Sequence, residues 1–431
     1  MNREGDEKLK RDIGLLGAAF LALNGIVGAG IYALPAELVG ATGAFSPWLF
    51  PIFGLLMLTV VLVFAELASY FDTSGGPIVY ADAAFGPLVG FQTGWVLYVA
   101  RLTGFAANAN IFVAYLAAFY PSLAEGVPRA AVLALLLGAL TFVNVIGVKQ
   151  AIRTLNVITF LKIVPLLILV AWGLTRMAGA PAQRVELPTF EDLGGVTLLL
   201  LYAFVGFESA TITAGETRAA RNSVPRALIL TTIGTTTLYF LIQLVYVAIT
   251  RGQPIESAPL VEAGRILAGE AGAIAITIAA IFSIGGNLAG SAISGPRMTL
   301  ALAETNTLPA WFGRVSARFA TPKNSILFYG LVSIVLAISG AFVILAVVSS
   351  LARMFVYVLC AAALPILRRR FGSEQARPSG RQTLRIVAPI VAVITCVYAM
   401  STATPEAWWW LLGLMAAGGA FFLMNRALRP A

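Results

Sequence analysis

Residues 22–31 read ALNGIVGAGI, with Pro35 close behind, inside the first apolar run of the chain. The three glycines of this stretch lie within six residues and lower the free-energy cost of leaving helical geometry. A second irregular stretch, residues 202–209, reads YAFVGFES and carries Glu208 inside another apolar run. A carboxylate within a membrane helix needs a partner or a polar cavity. Both stretches therefore predict interrupted helices.

The composition is typical of a membrane protein. Of the 431 residues, 59% are hydrophobic and 11% are charged, and the mean hydropathy is +0.88. Soluble domains carry roughly 25% charged residues. A helix needs about 20 apolar residues to cross a hydrocarbon core of ~30 Å. We therefore predict an all-α integral membrane protein with twelve transmembrane helices, near residues 13–36, 45–70, 87–119, 128–147, 155–177, 192–215, 225–250, 265–302, 325–341, 343–367, 384–402 and 406–425.

The basic residues are distributed unevenly over the predicted loops. Twenty lysines and arginines fall in the two tails and the alternate loops of one side, whereas five fall in the loops of the other side. Cytoplasmic loops of membrane proteins carry such an excess. The formal charge of +9 is therefore attributed to membrane orientation and not to a nucleic-acid partner. We predict both termini in the cytoplasm, a location in the cell (inner) membrane, and a cytoplasmic tail at 1–12.

Few residues suit catalysis or metal binding. The sequence contains no histidine, which removes histidine proton relays and most zinc sites. Cys360 and Cys396 lie in apolar runs and are interpreted as small core residues. No pairing of a nucleophile with a base is visible, so we expect no enzyme activity, no catalytic residue, no cofactor and no metal.

The two irregular stretches are separated by about five spans, because Gly28 and Gly206 are 178 residues apart. Two oppositely oriented sets of five spans, each opening with a broken helix, are typical of inverted-repeat transporters. Free N–H groups at such breaks suit a carboxylate, and free carbonyls suit an ammonium. The alternative is a glycine-rich packing face. We predict repeats at 13–177 and 192–367, followed by two peripheral helices at 384–425.

Short motifs are spread along the chain, at residues 28–30, 65–68, 74–77, 85–87, 90–95, 206–209, 216 and 224–226. With these motifs, the chain resembles the amino acid–polyamine–organocation transporter superfamily over nearly its whole length. The resemblance implies a ten-helix inverted-repeat core with two peripheral helices, alternating access, and a small amine or amino-acid substrate. Relatives often have serine at the position of Ala29, so a carboxylate contact there is expected from the main chain only. Relatives that handle arginine or agmatine have tryptophan in place of Tyr202, so the resemblance does not extend to a cationic substrate.

Lys162 lies in the fifth predicted span, in the stretch TFLKIVP. In similar sodium-independent transporters, a lysine at this place stands where sodium-coupled relatives bind sodium. The resemblance implies that its ammonium donates to carbonyls of the first span and hydroxyls of the eighth. Once desolvated, it could gain and lose a proton, and the alternative is a fixed structural cation. Lys162 is therefore the candidate for ion or proton coupling.

Arg101 lies in the third predicted span, which the resemblance places at the substrate cavity. Its role is an ion pair with Glu208, recognition of an anionic side chain, or snorkelling. We favour the pair, because each charge would then compensate the burial of the other. Tyr202 and Phe204 are candidates for an aromatic lid or for core packing. The candidate substrate-binding residues are Ile26, Gly28, Ala29, Gly30, Arg101, Phe105, Tyr202, Phe204, Gly206, Glu208, Ser291 and Tyr357.

The predicted function is secondary active transport of an amino acid or related amine, independent of sodium, by proton symport or by exchange. A transporter-like membrane sensor or a channel is the alternative. A channel requires a continuous polar pore and has no need of paired helix breaks, so the transporter is favoured. The expected partners are the small-molecule substrate, the lipid bilayer and protons, and the oligomeric state is left open.

Overall fold

The computed structural model describes residues 13–146, 151–177, 184–255, 258–305, 307–316, 318–319, 321–372 and 382–427. The predicted tail at 1–12 lies outside these residues. In the described part, strand pairing is limited to one isolated bridge between Ile13 and Thr217. The α-helices are α1 (Leu15–Ile26), α2 (Gly30–Thr42), α3 (Ser46–Tyr70), α4 (Pro77–Phe85), α5 (Pro87–Ala117), α6 (Gly126–Ile146), α7 (Ala151–Met177), α8 (Phe190–Tyr202), α9 (Ser209–Ile212), α10 (Ala220–Thr250), α11 (Pro259–Glu304), α12 (Lys323–Ser339), α13 (Phe342–Phe371), α14 (Gln382–Ser401) and α15 (Pro405–Ala427).

Apolar helices of membrane-spanning length dominate this list. Among the described residues, nine helical stretches are long and apolar enough to cross a membrane, one of them combining α2 and α3. The shorter α1 and α12 are also apolar. The protein is therefore an all-helical, multi-pass membrane protein. Every predicted span overlaps one of these helices, whereas the count of twelve crossings stays a prediction.

Two predicted spans differ from continuous helices. The first, 13–36, consists of α1 and α2, and the sixth, 192–215, consists of α8 and α9. The eighth predicted span, 265–302, is too long for one crossing, and the corresponding α11 contains non-helical backbone at Ala268 and Gly269. The segment before this kink therefore runs in a different direction from the long apolar helix that follows it.

Helix α5 lies at the centre of the bundle. Of its most apolar window, 89% is buried, compared with 22% for α6 and 17% for α15. It packs against α11, α12 and α13, while α1 packs against α7 and α10, and α8 packs against α2 and α13. Lipid tails are as apolar as leucine, so close packing of small residues holds such helices together. Helix α2 of the first interrupted helix contacts α5 directly, and α13 contacts both α5 and α8 of the second.

Candidate functional site

The two irregular stretches form helix breaks that touch each other. The chain leaves helical geometry between α1 and α2 at residues 27–29, and between α8 and α9 at residues 203–208. Gly206 has a φ of +105°, a conformation that strains any residue with a side chain. A Cβ atom added to Gly25 would collide with the Gly206 carbonyl oxygen, and one added to Gly206 would collide with Gly25. The two backbones therefore approach more closely than side chains would allow.

A cavity of about 60 Å³ lies between the breaks. Most of the predicted binding residues line it, namely Ile26, Gly28, Ala29, Gly30, Arg101, Phe105, Tyr202, Gly206, Glu208 and Ser291. The cavity is also lined by residues that were not predicted as binding residues, although Gly25, Val205 and Ser209 belong to the two predicted breaks: Gly25, Gly104, Asn108, Val205, Ser209, Asn287 and Arg353. Phe204, Tyr357 and Lys162 lie outside its lining.

Unpaired backbone groups surround this cavity. Within the described residues, the N–H groups of Ala29 and Gly30 donate no hydrogen bond, and the carbonyl of Val205 accepts none. Ala29 and Gly30 stand at the start of α2, where the helix dipole is positive. Backbone groups buried without partners are unfavourable, so they suit a ligand or water. The breaks thus offer donors for an anion and an acceptor for a cation around one small cavity.

Glu208 is buried and makes three hydrogen bonds. Its Oε1 accepts from Arg353 Nε at 3.1 Å, and its Oε2 accepts from the Tyr357 hydroxyl and the Gly206 N–H, each at 2.9 Å. Arg353 also donates to the Ala100 carbonyl at 3.2 Å. A buried ion pair is stable only when its remaining donors and acceptors are satisfied in this way. Tyr357, predicted as a lining residue, instead orients Glu208 from behind the cavity.

The predicted ion pair between Arg101 and Glu208 is wrong. Arg353, from α13, makes the direct contact with Glu208. Arg101 instead donates to the Ser294 hydroxyl at 3.1 Å and to the Ser209 hydroxyl at 3.3 Å. Both arginines are buried within the same bundle, and their distance from Glu208 depends on how α5 and α13 are rotated. Arg101 therefore lines the cavity without a carboxylate in hydrogen-bond contact.

Lys162 is fully buried beside the first helix break. Its Nζ donates to Asn24 Oδ1 at 2.6 Å, to the Val27 carbonyl at 2.8 Å and to the Asn24 carbonyl at 3.4 Å. Contact with first-span carbonyls agrees with the expectation, but the expected eighth-span hydroxyls are not among its described partners. The eighth span contributes Asn287 instead, whose Nδ2 donates to the same Asn24 carbonyl at 2.9 Å. The carbonyls at the end of α1 are thus held by an ammonium and an amide.

A chain of hydrogen bonds crosses the site from the sixth span to the first. The Tyr202 hydroxyl lies 2.8 Å from Asn108 Oδ1, and Asn108 Nδ2 donates to Asn287 Oδ1 at 2.7 Å. Asn287 then reaches Asn24, as described above. Helical spacing could have predicted both amides, because Asn108 lies seven residues after Arg101 and Asn287 lies four residues before Ser291. The chain links the two breaks through α5 and α11.

Phe204 packs in the core rather than on the cavity. Its ring lies 6.2 Å from that of Phe50 and 6.0 Å from that of Tyr239, measured between centroids. Tyr202, by contrast, lines the cavity. Of the two candidates for an aromatic lid, the structure therefore places only Tyr202 at the cavity.

These features define a class of protein. Helices of membrane-spanning length surround a small cavity whose walls are broken helices, buried charges and amide side chains. Irregular backbone at membrane depth is tolerated where it lines a cavity, and broken helices around a central cavity are typical of membrane transporters.

The chain belongs to the amino acid permease family, which it matches over residues 13–422. It is similar to an uncharacterized transporter of Mycobacterium bovis, with 28% identity over 428 residues, covering 97% of this chain and 90% of the relative. A counterpart in Mycobacterium tuberculosis has the same identity and coverage. A second M. tuberculosis transporter is 25% identical over 415 residues, covering 89% and 86% of the two chains. Family and relatives indicate a transporter rather than an enzyme.

Proposed function

We propose that the protein is a secondary active transporter that moves an amino acid or a related amine across the plasma (inner) membrane by alternating access. The observation that carries the proposal is the contact between two helix breaks around a small cavity with unpaired N–H and carbonyl groups. Such a site binds the two charged ends of an α-amino acid through the main chain.

The α-carboxylate is assigned to the N–H groups of Ala29 and Gly30 at the start of α2. There the helix dipole and two unpaired donors favour negative charge. The α-ammonium is assigned to the Val205 carbonyl of the second break. Because residue 29 is alanine, no hydroxyl assists the carboxylate, and the main chain carries this contact alone.

The proposed architecture is an inverted repeat, 13–177 and 192–367, with peripheral helices at 384–425 and twelve crossings in all. A two-fold axis between repeats gives every cross pair of helices a mirrored partner and brings the matched helices nearest the axis into contact. Among the matched helices, α3 packs on α10, α5 on α11 and α6 on α12. The pair α5 and α13 is mirrored by α11 and α7. This pattern supports the repeat.

The contacts of Lys162 support transport that does not depend on sodium. Its ammonium already donates to the Asn24 and Val27 carbonyls at the end of α1, where a bound cation would otherwise be held. A buried lysine can exchange a proton during the cycle or remain a fixed cation. Proton symport and substrate exchange therefore both fit the site. With the basic loops inside, both termini lie in the cytoplasm.

Uptake into proteoliposomes tests this function. Labelled amino acids and amines are supplied outside, with or without a proton gradient, with or without unlabelled substrate inside, and in sodium or choline medium. We expect saturable uptake of at least one amino acid or amine in choline medium, stimulated by the proton gradient or by internal substrate. If no amino acid or amine enters above the level of protein-free liposomes, the proposal is wrong.

A further inference from the structure

The cavity carries more positive than negative charge. Among the described residues that line it, the charged ones are Arg101, Arg353 and Glu208. Lys162 adds a further cation below the first break, in contact with its carbonyls. Two buried arginines, joined by Lys162 when it is protonated, thus face one carboxylate in a region of low dielectric constant. Buried charge without compensation is strongly unfavourable, so the charges of this region favour an additional anion.

The single carboxylate is already engaged. Arg353 donates to Glu208 at 3.1 Å, and its other bonds go to the Ala100 carbonyl and the Ser349 oxygens. The remaining Glu208 oxygen is held by the Tyr357 hydroxyl and the Gly206 N–H. Glu208 therefore makes no hydrogen bond to a second arginine, and its charge attracts Arg101 only at longer range.

Arg101 is the cation without a counter-charge in contact. Its side chain is buried, with 9% of the residue exposed, and its two hydrogen bonds go to the neutral hydroxyls of Ser294 and Ser209. A guanidinium has five N–H donors, and the Arg101 Nε has no partner at all among the described residues. An arginine in this state matches the two oxygens of a carboxylate.

We infer that the transported amino acid carries a carboxylate on its side chain, which Arg101 binds. This inference rests on the proposed function and adds the substrate class to it. The α-carboxylate and the α-ammonium bind the backbone groups of the two breaks. The side-chain carboxylate accepts hydrogen bonds from the N–H groups of Arg101 that have no other partner. The cavity of about 60 Å³ is small, which suits a short side chain. Aspartate and glutamate are the substrates of this class and size.

Competition between acids and their amides tests the inference without any variant. Asparagine and glutamine match aspartate and glutamate in shape and differ in charge. In wild-type proteoliposomes we expect kcat/KM for the better acid to exceed that of its amide at least tenfold. Equal or better transport of the amides would overturn the inference. That outcome is expected if a resident anion such as chloride, and not the substrate, neutralises Arg101.

The variant Arg101→Gln tests whether Arg101 is the residue that binds the side-chain carboxylate. We expect its uptake of the acidic substrate to fall about 100-fold, because truncating one partner of a buried charge pair leaves the other charge buried and unpaired. Its ratio of acid to amide transport should fall too, which a merely structural defect would not produce. Arg297→Gln is the matched control, since Arg297 is exposed on α11 and donates a hydrogen bond to the Ile293 carbonyl of the same helix.

The outcomes separate this inference from the proposed function. If wild-type protein transports neutral amino acids but not aspartate or glutamate, the inference fails and the transporter function stands. If Arg101→Gln loses acid and amide transport equally while its melting temperature is unchanged, Arg101 is not the discriminating residue and the inference fails. If no amino acid or amine is transported, both are wrong.

Discussion

Replacement of Lys162 by alanine is the sharpest test of how the first break is held. The substitution removes an ammonium that donates to Asn24 Oδ1 at 2.6 Å and to the Val27 carbonyl at 2.8 Å. The Asn24 carbonyl keeps the amide of Asn287. The Val27 carbonyl has no other partner among the described residues, so the end of α1 loses its cation and one backbone acceptor is left unpaired.

The size of the effect follows from these contacts. Hydrogen bonds to a charged group contribute about 1.5–3 kcal/mol each, so the two shorter bonds represent ~3–6 kcal/mol in the conformation that forms them. Water entering the space restores part of this, and we take ~3 kcal/mol as the net loss. Since 1.4 kcal/mol is a factor of ten, the competent conformation becomes about 100-fold rarer. We expect Lys162→Ala to lower kcat/KM for uptake by about this factor.

The assay is initial uptake by proteoliposomes over a range of pH values, in choline and in sodium medium. Lys323→Ala is the matched control, because Lys323 is exposed at the start of α12. It should transport like the wild type. Partial recovery of uptake by Lys162→Ala in sodium medium would agree with a cation from the medium taking the place of the ammonium at these carbonyls. Uptake by Lys162→Ala with the wild-type rate and the wild-type pH dependence would refute the reasoning.

Two further substitutions test the contacts of the cavity. Gly25→Ala should abolish uptake, because the added methyl group collides with the Gly206 carbonyl oxygen. Gly138→Ala on α6 is the control, because its methyl group meets no atom within 4 Å and the variant should transport normally. Equal activity of the two variants in the proteoliposome assay would contradict the contact between the breaks. Glu208→Gln leaves Arg353 buried without its counter-charge, at a cost of ~3–5 kcal/mol, and should lower both the melting temperature in detergent and the uptake rate. Adding Arg353→Gln should recover part of the melting temperature, and an unchanged melting temperature in the single variant would count against the pair.

The fold could be predicted to a large extent because its signals are local. A run of about 20 apolar residues defines a membrane helix whatever it packs against. Three glycines in residues 22–31 and a buried glutamate at 208 likewise mark the two interruptions without any knowledge of neighbours. Both breaks are found where these residues predict them, between α1 and α2 and between α8 and α9. Helix ends agree within a few residues for most spans.

The amino-acid sequence by itself therefore determined a multi-pass helical protein with two interrupted helices and a set of charges at membrane depth. Only the tertiary structure decided which charges meet. Arg101 and Arg353 are both arginines within apolar helices, but Arg353, 145 residues from Glu208 in sequence, makes the contact at 3.1 Å. The physical reason is that hydropathy and backbone propensity act over one or two helical turns, whereas an ion pair depends on the rotation and tilt of whole helices, which all their neighbours set together.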